Sequence, residues 1–204
     1  MSDSDDAELA PALGNGKIYI TADQLLRDAF ELAQQVIESG FEPDFVVGVW
    51  RGGTPVAVAV HELMKYVGLD PDHLAIRTSY YDGIDQPRSA VQVHNLGYLV
   101  ENVGRDDSVL IVDDVFDRGQ SIAAILAELK TLMQRNLPHD IRTATVWFKP
   151  TRNLTDLVPN YYVHETDQWL IFPHELEGLT LADIAENKSD IASIVDRAVR
   201  WRAD

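Results

Sequence analysis

Apolar residues recur in two alternating patterns, short continuous runs and runs at helical spacing. Continuous runs predict strands at FVVGVW between Asp44 and Arg51, His73–Thr78, Ser108–Asp113 and Ile141–Phe148, with short strands at Tyr161–His164 and Trp169–Phe172. Helical spacing predicts helices from the capping box Thr21–Gln24 to Gly40, over Thr54–Tyr66 and over Ile122–Gln134. Strands that alternate with helices predict an α/β fold, a parallel twisted sheet flanked by helices.

The ends of the chain and one internal segment lack this alternation. Residues 1–16 are acidic and rich in Gly and Ala, and we expect a flexible acidic leader there. Residues 17–178 are expected to form the folded domain, and residues 179–204 a helical tail, with broken helical spacing over Leu181–Trp201. From Ser79 to about Asn95 the chain carries Gly, Asp and Pro with little periodicity, which predicts a long loop.

Composition narrows the class of protein. The 204 residues hold 33 Asp and Glu against 17 Lys and Arg, a net charge of −16, with 46% hydrophobic residues. Nucleic-acid binding is disfavoured because it needs clustered basic residues, and no apolar run approaches the roughly 20 residues of a membrane span. The chain has no cysteine, which excludes disulfides and is natural in a reducing, cytoplasmic setting. The acidity fits either an ordinary solvated surface or adaptation to a salty cytoplasm.

The segment Val109–Ser121 carries the clearest chemistry. A buried strand delivers two adjacent carboxylates, Asp113 and Asp114, and a third, Asp117, precedes a Gly119 turn that opens a helix at Ser121. Backbone N–H groups at such a turn bind anions, whereas carboxylates suit sugar hydroxyls and Mg²⁺. A phosphate cradle beside acids that bind a diol favours a ribose 5-phosphate as ligand.

This segment resembles the phosphoribosyl pyrophosphate (PRPP) signature of type I phosphoribosyltransferases. Other segments resemble the same family in the same order from about residue 44 to 175. Val46–Gly53 is similar to the pyrophosphate loop of the family, and Thr78–Tyr81 is similar to its mobile hood. Val146–Pro150 and Trp169–Glu175 are similar to the base-recognition segments of the purine branch, which comprises the xanthine–guanine and hypoxanthine–guanine enzymes.

The resemblance implies a role for each matching residue. Asp113 and Asp114 would hold the ribose hydroxyls and help to place Mg²⁺, and Glu175 would reach a second Mg²⁺ through water. Asp117 would be the catalytic proton acceptor facing purine N7, and Arg51 the catalytic cation on the leaving pyrophosphate. The remaining residues would bind PRPP (Gly52, Ser79, Tyr80, Arg118, Gly119, Gln120, Ser121) or the base (Lys149, Trp169, Leu170). A cis peptide is implied between Trp50 and Arg51.

The resemblance further implies an Mg²⁺-dependent purine phosphoribosyltransferase. It would transfer the 5-phosphoribosyl group from PRPP to hypoxanthine, guanine or xanthine in purine salvage, yielding the nucleoside 5′-monophosphate and pyrophosphate. Lys149 beside a carbonyl favours 6-oxopurines, since an amino group offers hydrogens rather than a lone pair. Hood elements are expected at roughly 79–98 and 160–178, and a homo-oligomer, dimer or tetramer, is implied.

Two positions depart from the family pattern. Arg118 stands where Thr or Ser usually precedes the glycine, and Gln120 where the hypoxanthine–guanine branch often has Lys. Either Arg118 supplies the charge that Gln120 lacks, or the loop binds another phosphate or binds poorly. Alternatives are a doubly wound sheet with ordinary turn acids, a same-fold enzyme for another base, and a non-catalytic sensor of PRPP or nucleotides. A response-regulator receiver begins similarly, but the spacing to Lys149-Pro150 disfavours it.

Overall fold

The computed structural model describes residues 12–14, 16–80 and 91–203. The described residues form two compact units, a larger one within residues 26–167 and a smaller one that joins the described residues up to Leu25 with those from Gln168 onward. The strands are β1 Ala12–Gly14, β2 Lys17–Tyr19, β3 Phe45–Trp50, β4 Asp72–Tyr80, β5 Val91–His94, β6 Ser108–Phe116, β7 Asp140–Phe148, β8 Tyr161–Glu165 and β9 Trp169–Ile171. The helices are α1 Ala22–Glu38, α2 Gly53–Tyr66, α3 Gly97–Asn102, α4 Gln120–Met133, α5 Leu181–Asn187 and α6 Ser189–Ala203.

A six-stranded sheet forms the centre of the larger unit. Its order is β5-β4-β3-β6-β7-β8, and every described pairing is parallel except the antiparallel pair β4–β5. The register pairs Gly48 of β3 with Val112 of β6, and Phe116 of β6 with Phe148 of β7. The carboxyl ends of β3, β6 and β7 therefore lie at one edge, where parallel sheets bind ligands. The predicted α/β fold is confirmed.

The central strands owe their position to continuous apolar sequence. Val109, Leu110, Ile111 and Val112 of β6 are all buried, as strands covered on both faces must be. Val47 and Val49 of β3 and Ile122, Ile125 and Leu129 of α4 are among the residues that join β6 in one core. This core gives the site a rigid base.

The smaller unit contains a second, three-stranded sheet of order β1-β2-β9. β2 runs antiparallel to β1 and parallel to β9, with Ile18 opposite Leu170. Residues 12–14, which we expected to lie in a flexible leader, thus form a paired strand; the rest of the leader up to residue 11, with residue 15, lies outside the described residues. The predicted broken tail consists of α5 and α6, separated at Lys188.

The loop predicted from Ser79 to Asn95 is partly wrong. β4 continues through Ser79 to Tyr80, and β5 pairs with it, for example Ser79 with Gln92. Residues 81–90 lie outside the described residues. The range 160–178, predicted as part of a hood, includes β8, the edge strand of the six-stranded sheet, and β9 of the smaller sheet. Within the described ranges, no helix combines the length and apolar character that a membrane span requires.

Candidate active site

The carboxyl end of β6 presents two adjacent acids. Asp113 is partly exposed and Asp114 is buried. Each accepts a hydrogen bond from the following backbone N–H, Asp114 N to Asp113 Oδ1 at 3.0 Å and Val115 N to Asp114 Oδ1 at 2.8 Å. Although part of the residue is exposed, the carboxyl group of Asp113 is desolvated by the protein around it, which raises its pKa well above the usual range, and the charge of Asp114 raises that pKa further. Two carboxyl groups so close resist ionising together, so a bound cation would be stabilised here.

The end of β3 lies directly against these acids. A Cβ at Gly52 would be 1.8 Å from Asp114 Oδ2, and one at Gly53 would be 2.6 Å from the carbonyl oxygen of Val112. Only glycine permits the backbone to approach β6 this closely. The peptide between Trp50 and Arg51 is cis, as the resemblance implied. Arg51 is exposed at this turn, and α2 begins two residues later, at Gly53.

After β6 the chain turns sharply into α4. Gly119, with a φ of 74°, occupies the left-handed region at the N-terminal boundary of the helix. The first N–H groups of a helix have no partner within it, so those at Gln120 and Ser121 are available to an anion. A Cβ at Gly119 would lie 2.5 Å from Thr155 Oγ1 and 2.9 Å from Asn153 Oδ1. Residues after β7 therefore pack directly on the turn.

Two cations flank Asp117 in this loop. Lys149, which directly follows β7 and is buried, donates from Nζ to Asp117 Oδ2 at 3.3 Å. Arg152 Nε lies 2.8 Å from Asp117 Oδ1 in an ion-pair contact, although the direction of the N–H falls short of a hydrogen bond. The arrangement places a carboxylate able to accept a proton beside a buried ammonium able to donate a hydrogen bond.

The larger unit thus brings together the predicted site residues that lie at the carboxyl ends of β3, β6 and β7 or directly follow these strands. They are Arg51, Gly52, Asp113, Asp114, Asp117, Arg118, Gly119, Gln120, Ser121 and Lys149. Ser79 and Tyr80 end β4, next to β3 in the sheet, and Ser79 Oγ lies 3.0 Å from His94 Nε2 of β5. The Ser79 hydroxyl is therefore already held within the hairpin.

The other predicted residues belong to the smaller unit. Trp169 begins β9 and is 55% exposed, whereas Leu170 is buried. Glu175 Oε2 accepts a hydrogen bond from the Phe172 backbone N–H at 3.0 Å, in a turn where Lys188 also donates to the carbonyl oxygen of Phe172 at 2.6 Å. The roles of these residues stay predictions.

Sequence reasoning missed Arg152, Asn153 and Thr155. They have no regular spacing relative to Asp117, which lies 35 positions before Arg152, and they approach it only because β7 pairs with β6. One signal was present: a second basic residue shortly after a strand whose neighbour ends in acids. Adjacent parallel strands end at the same edge, so opposite charges there are expected to meet.

Comparison with known proteins agrees with this geometry. The phosphoribosyl transferase domain family matches residues 19–178. A purine phosphoribosyltransferase from Pyrococcus horikoshii is 30% identical; the match covers 81% of this chain and 97% of that one, with a TM-score of 0.61.

Two less identical structures share the fold. The xanthine–guanine–hypoxanthine phosphoribosyltransferase of Helicobacter pylori is 21% identical over 79% of this chain and 95% of that one, with a TM-score of 0.60. A Neisseria gonorrhoeae protein with bound ppGpp is 21% identical over 87% and 97%, with a TM-score of 0.67. With most of its length matched to one domain family and its glycine turn and acids at the sheet edge, the chain belongs to the phosphoribosyltransferases.

Proposed function

We propose that this chain transfers a phosphoribosyl group from PRPP to a 6-oxopurine, giving a nucleoside 5′-monophosphate and pyrophosphate. One observation carries the proposal: the Lys149 ammonium and the Asp117 carboxylate lie 3.3 Å apart beside the Gly119 turn. A 6-oxopurine offers the complementary pair, a carbonyl that accepts from Lys149 and a ring N–H that donates to Asp117. The 30% identical Pyrococcus horikoshii purine phosphoribosyltransferase supports the same substrate class.

The reaction follows from these positions. N9 of the base attacks C1′ of the sugar, the bond from C1′ to the pyrophosphate oxygen breaks, and that oxygen keeps the electron pair. The proton on N7 passes to Asp117, which leaves the product neutral at the ring. Arg51, exposed beside the Gly52 turn, meets the negative charge that develops on pyrophosphate, and such electrostatic stabilisation is the larger part of catalysis. Backbone N–H groups at Gln120 and Ser121 hold the 5′-phosphate.

Magnesium fits the acids at the end of β6. Mg²⁺ takes one or two carboxylates, with its other ligands drawn from substrate phosphates and water, and Asp113 and Asp114 form such a pair. Desolvation raises the pKa of Asp113 and the neighbouring charge of Asp114 raises it further, and a divalent cation would relieve the repulsion between the two carboxylates. Bound there, Mg²⁺ would neutralise charge on the departing pyrophosphate.

The proposal is tested by mixing the protein with PRPP, Mg²⁺ and one base at a time. We expect nucleotide and pyrophosphate in equal amounts from hypoxanthine, guanine or xanthine, and little from adenine or a pyrimidine. Omitting Mg²⁺ should abolish turnover. Transfer only to adenine or to a pyrimidine would replace the proposed base, and tight nucleotide binding with no transfer to any base would identify a sensor instead of an enzyme.

Replacing Lys149 tests its contact with the base separately from PRPP binding. Lys149→Ala should lower kcat/KM for 6-oxopurines by about 100-fold, because a buried charge-assisted hydrogen bond contributes about 2–3 kcal/mol, while the KM for PRPP changes little. Lys130→Ala, which removes an exposed lysine of α4, serves as the matched control. An unchanged preference between hypoxanthine and adenine in Lys149→Ala would refute the contact.

A further inference from the structure

The turn after β7 forms backbone hydrogen bonds to the residues on both sides of Asp117. The Lys149 backbone N–H donates to the carbonyl oxygen of Phe116 at 2.9 Å, and the Leu154 N–H donates to the carbonyl oxygen of Arg118 at 3.1 Å. Residues 149–154 are thus anchored to the residues immediately before and after Asp117. We name residues 149–154 the clamp segment.

Within the clamp segment, a short turn brings Arg152 back to the site. Pro150–Arg152 form one turn of 3₁₀ helix, closed by a hydrogen bond from the Arg152 N–H to the Lys149 carbonyl oxygen at 3.2 Å. The turn places the side chains of Lys149 and Arg152 on the two oxygens of one carboxylate, with Lys149 at Oδ2 and Arg152 at Oδ1. Arg152 and Asp117 are each about one-third exposed, so the pair borders the open site.

The two contacts differ in their nature. The 3.3 Å separation between Lys149 Nζ and Oδ2 exceeds the roughly 2.8 Å typical of a charge-assisted hydrogen bond, so a ligand carbonyl can replace it at low cost. Oδ1, in contrast, is buried and accepts no hydrogen bond, and the Arg152 guanidinium at 2.8 Å supplies its ion-pair contact. A buried carboxylate oxygen is costly unless paired, so Arg152 fixes that side of the carboxylate.

We propose that Arg152 is a positioning residue, which holds Oδ1 of Asp117 so that Oδ2 faces the base when Lys149 turns to the 6-oxo group. The inference rests on the proposed function, because it assigns Asp117 the task of accepting the proton. Without Arg152 the carboxylate would be free to rotate and to stay paired with Lys149. Arg152 itself touches neither the sugar nor the base in this assignment.

The test measures kcat and KM for the wild-type protein and its variants with hypoxanthine or guanine. Arg152→Ala should lower kcat by about 10- to 100-fold and leave the KM for PRPP within about twofold, since a positioning defect affects the reacting geometry. Arg152→Gln, which keeps polar N–H groups but no charge, should show a similar loss, and Arg152→Lys should recover part of it. Arg200→Ala is the matched control, because it removes a 2.7 Å ion pair to Asp196 on the exposed face of α6 and should leave kcat unchanged.

A double-mutant cycle shows whether Arg152 acts through Asp117. In the Asp117→Asn background, Arg152→Ala should change kcat by less than about twofold, because the carboxylate it positions is gone. The inference would be overturned if the kcat losses of the two single variants multiplied in the double variant. It would also be overturned if kcat were undiminished in Arg152→Ala and Arg152→Gln, or if the only change were in the KM for PRPP. Those outcomes leave the proposed function intact, provided the wild type forms nucleotide. A wild type that transfers to no base overturns both.

Discussion

Single residues at the site combine a backbone requirement with close packing, and Gly119 shows both. Its φ of 74° disfavours a side chain, and its neighbours Thr155 and Asn153 leave no space for one. Left-handed backbone costs about 1–2 kcal/mol for a residue other than glycine, and overpacking adds about 1–3 kcal/mol. The turn can therefore hold its shape only with glycine at this position.

We expect Gly119→Ala to lower the free energy of unfolding by at least about 2 kcal/mol and to weaken PRPP binding strongly. Gly68→Ala provides the control, because Gly68 has a φ of 94° and the Cβ of an alanine there would meet nothing within 4 Å. Denaturant unfolding of both variants separates the cost of the backbone conformation from the cost of packing. Equal destabilisation by Gly119→Ala and Gly68→Ala would show that Thr155 and Asn153 move aside from the added methyl group without cost, contrary to this expectation.

Among the elements, those with continuous apolar sequence or clear helical spacing could be predicted from the chain. β6 and β7 lie within a residue or two of their predicted starts, and α2 begins one residue before the predicted Thr54. β5 was missed because its four residues alternate between partly buried and exposed, with no apolar run. β1 was missed because it is held by pairing with β2, which local composition does not reveal.

The parts of the candidate site that lie in one continuous segment could be predicted from the sequence, whereas contacts that depend on strand pairing could not. The Gly119 turn and its acids follow a strand in one continuous segment, so local sequence reveals them. The contact between Arg152 and Asp117 depends on strand pairing, and a single sequence contains no local pattern for it. Ser79 was predicted from the family resemblance alone, and its partner His94 depends on the missed strand β5.

Helix α5 carries a testable capping box. Thr180 Oγ1 accepts from the Asp183 N–H at 3.1 Å, and the Thr180 N–H and hydroxyl donate to Asp183 Oδ2 at 2.9 and 2.8 Å. These hydrogen bonds from the backbone and side chain of Thr180 lower the pKa of Asp183 below 3.8. Because the pKa of Asp183 is lower in the folded state than in the unfolded state, the ionised carboxylate stabilises the cap at pH values above the unfolded-state pKa. This stabilisation is lost as the pH falls through the folded-state pKa.

A carboxyl carbon titration followed by NMR should therefore give Asp183 a midpoint below 3.8. In Thr180→Ala the side-chain donor is absent, so the midpoint should move toward the unfolded value, and the amides of α5 should exchange faster with solvent. A midpoint for Asp183 at or above 3.8 would contradict the cap.

At the scale of the whole molecule, the charge distribution opposes the proposed ligand except at the site. The chain carries a net charge of −16, and PRPP is also an anion. Arg51, Arg118, Lys149 and Arg152 all lie in segments that directly follow β3, β6 or β7, so basic side chains concentrate where phosphates would bind. Focused local charge can attract an anion even on a protein of the same overall sign.

The same net charge makes a prediction for stability. Self-repulsion among the acids destabilises the folded state, and salt screens it, since the Debye length falls to about 10 Å at 0.1 M. The melting temperature should therefore rise as KCl increases from about 10 mM to about 0.5 M. A variant with the exposed acids Glu42, Glu101 and Glu128 changed to Gln should melt higher at low salt and respond less to KCl. A melting temperature that falls with KCl would mean that attractive ion pairs, such as Arg142 with Asp140 at 2.8 Å, outweigh the repulsion.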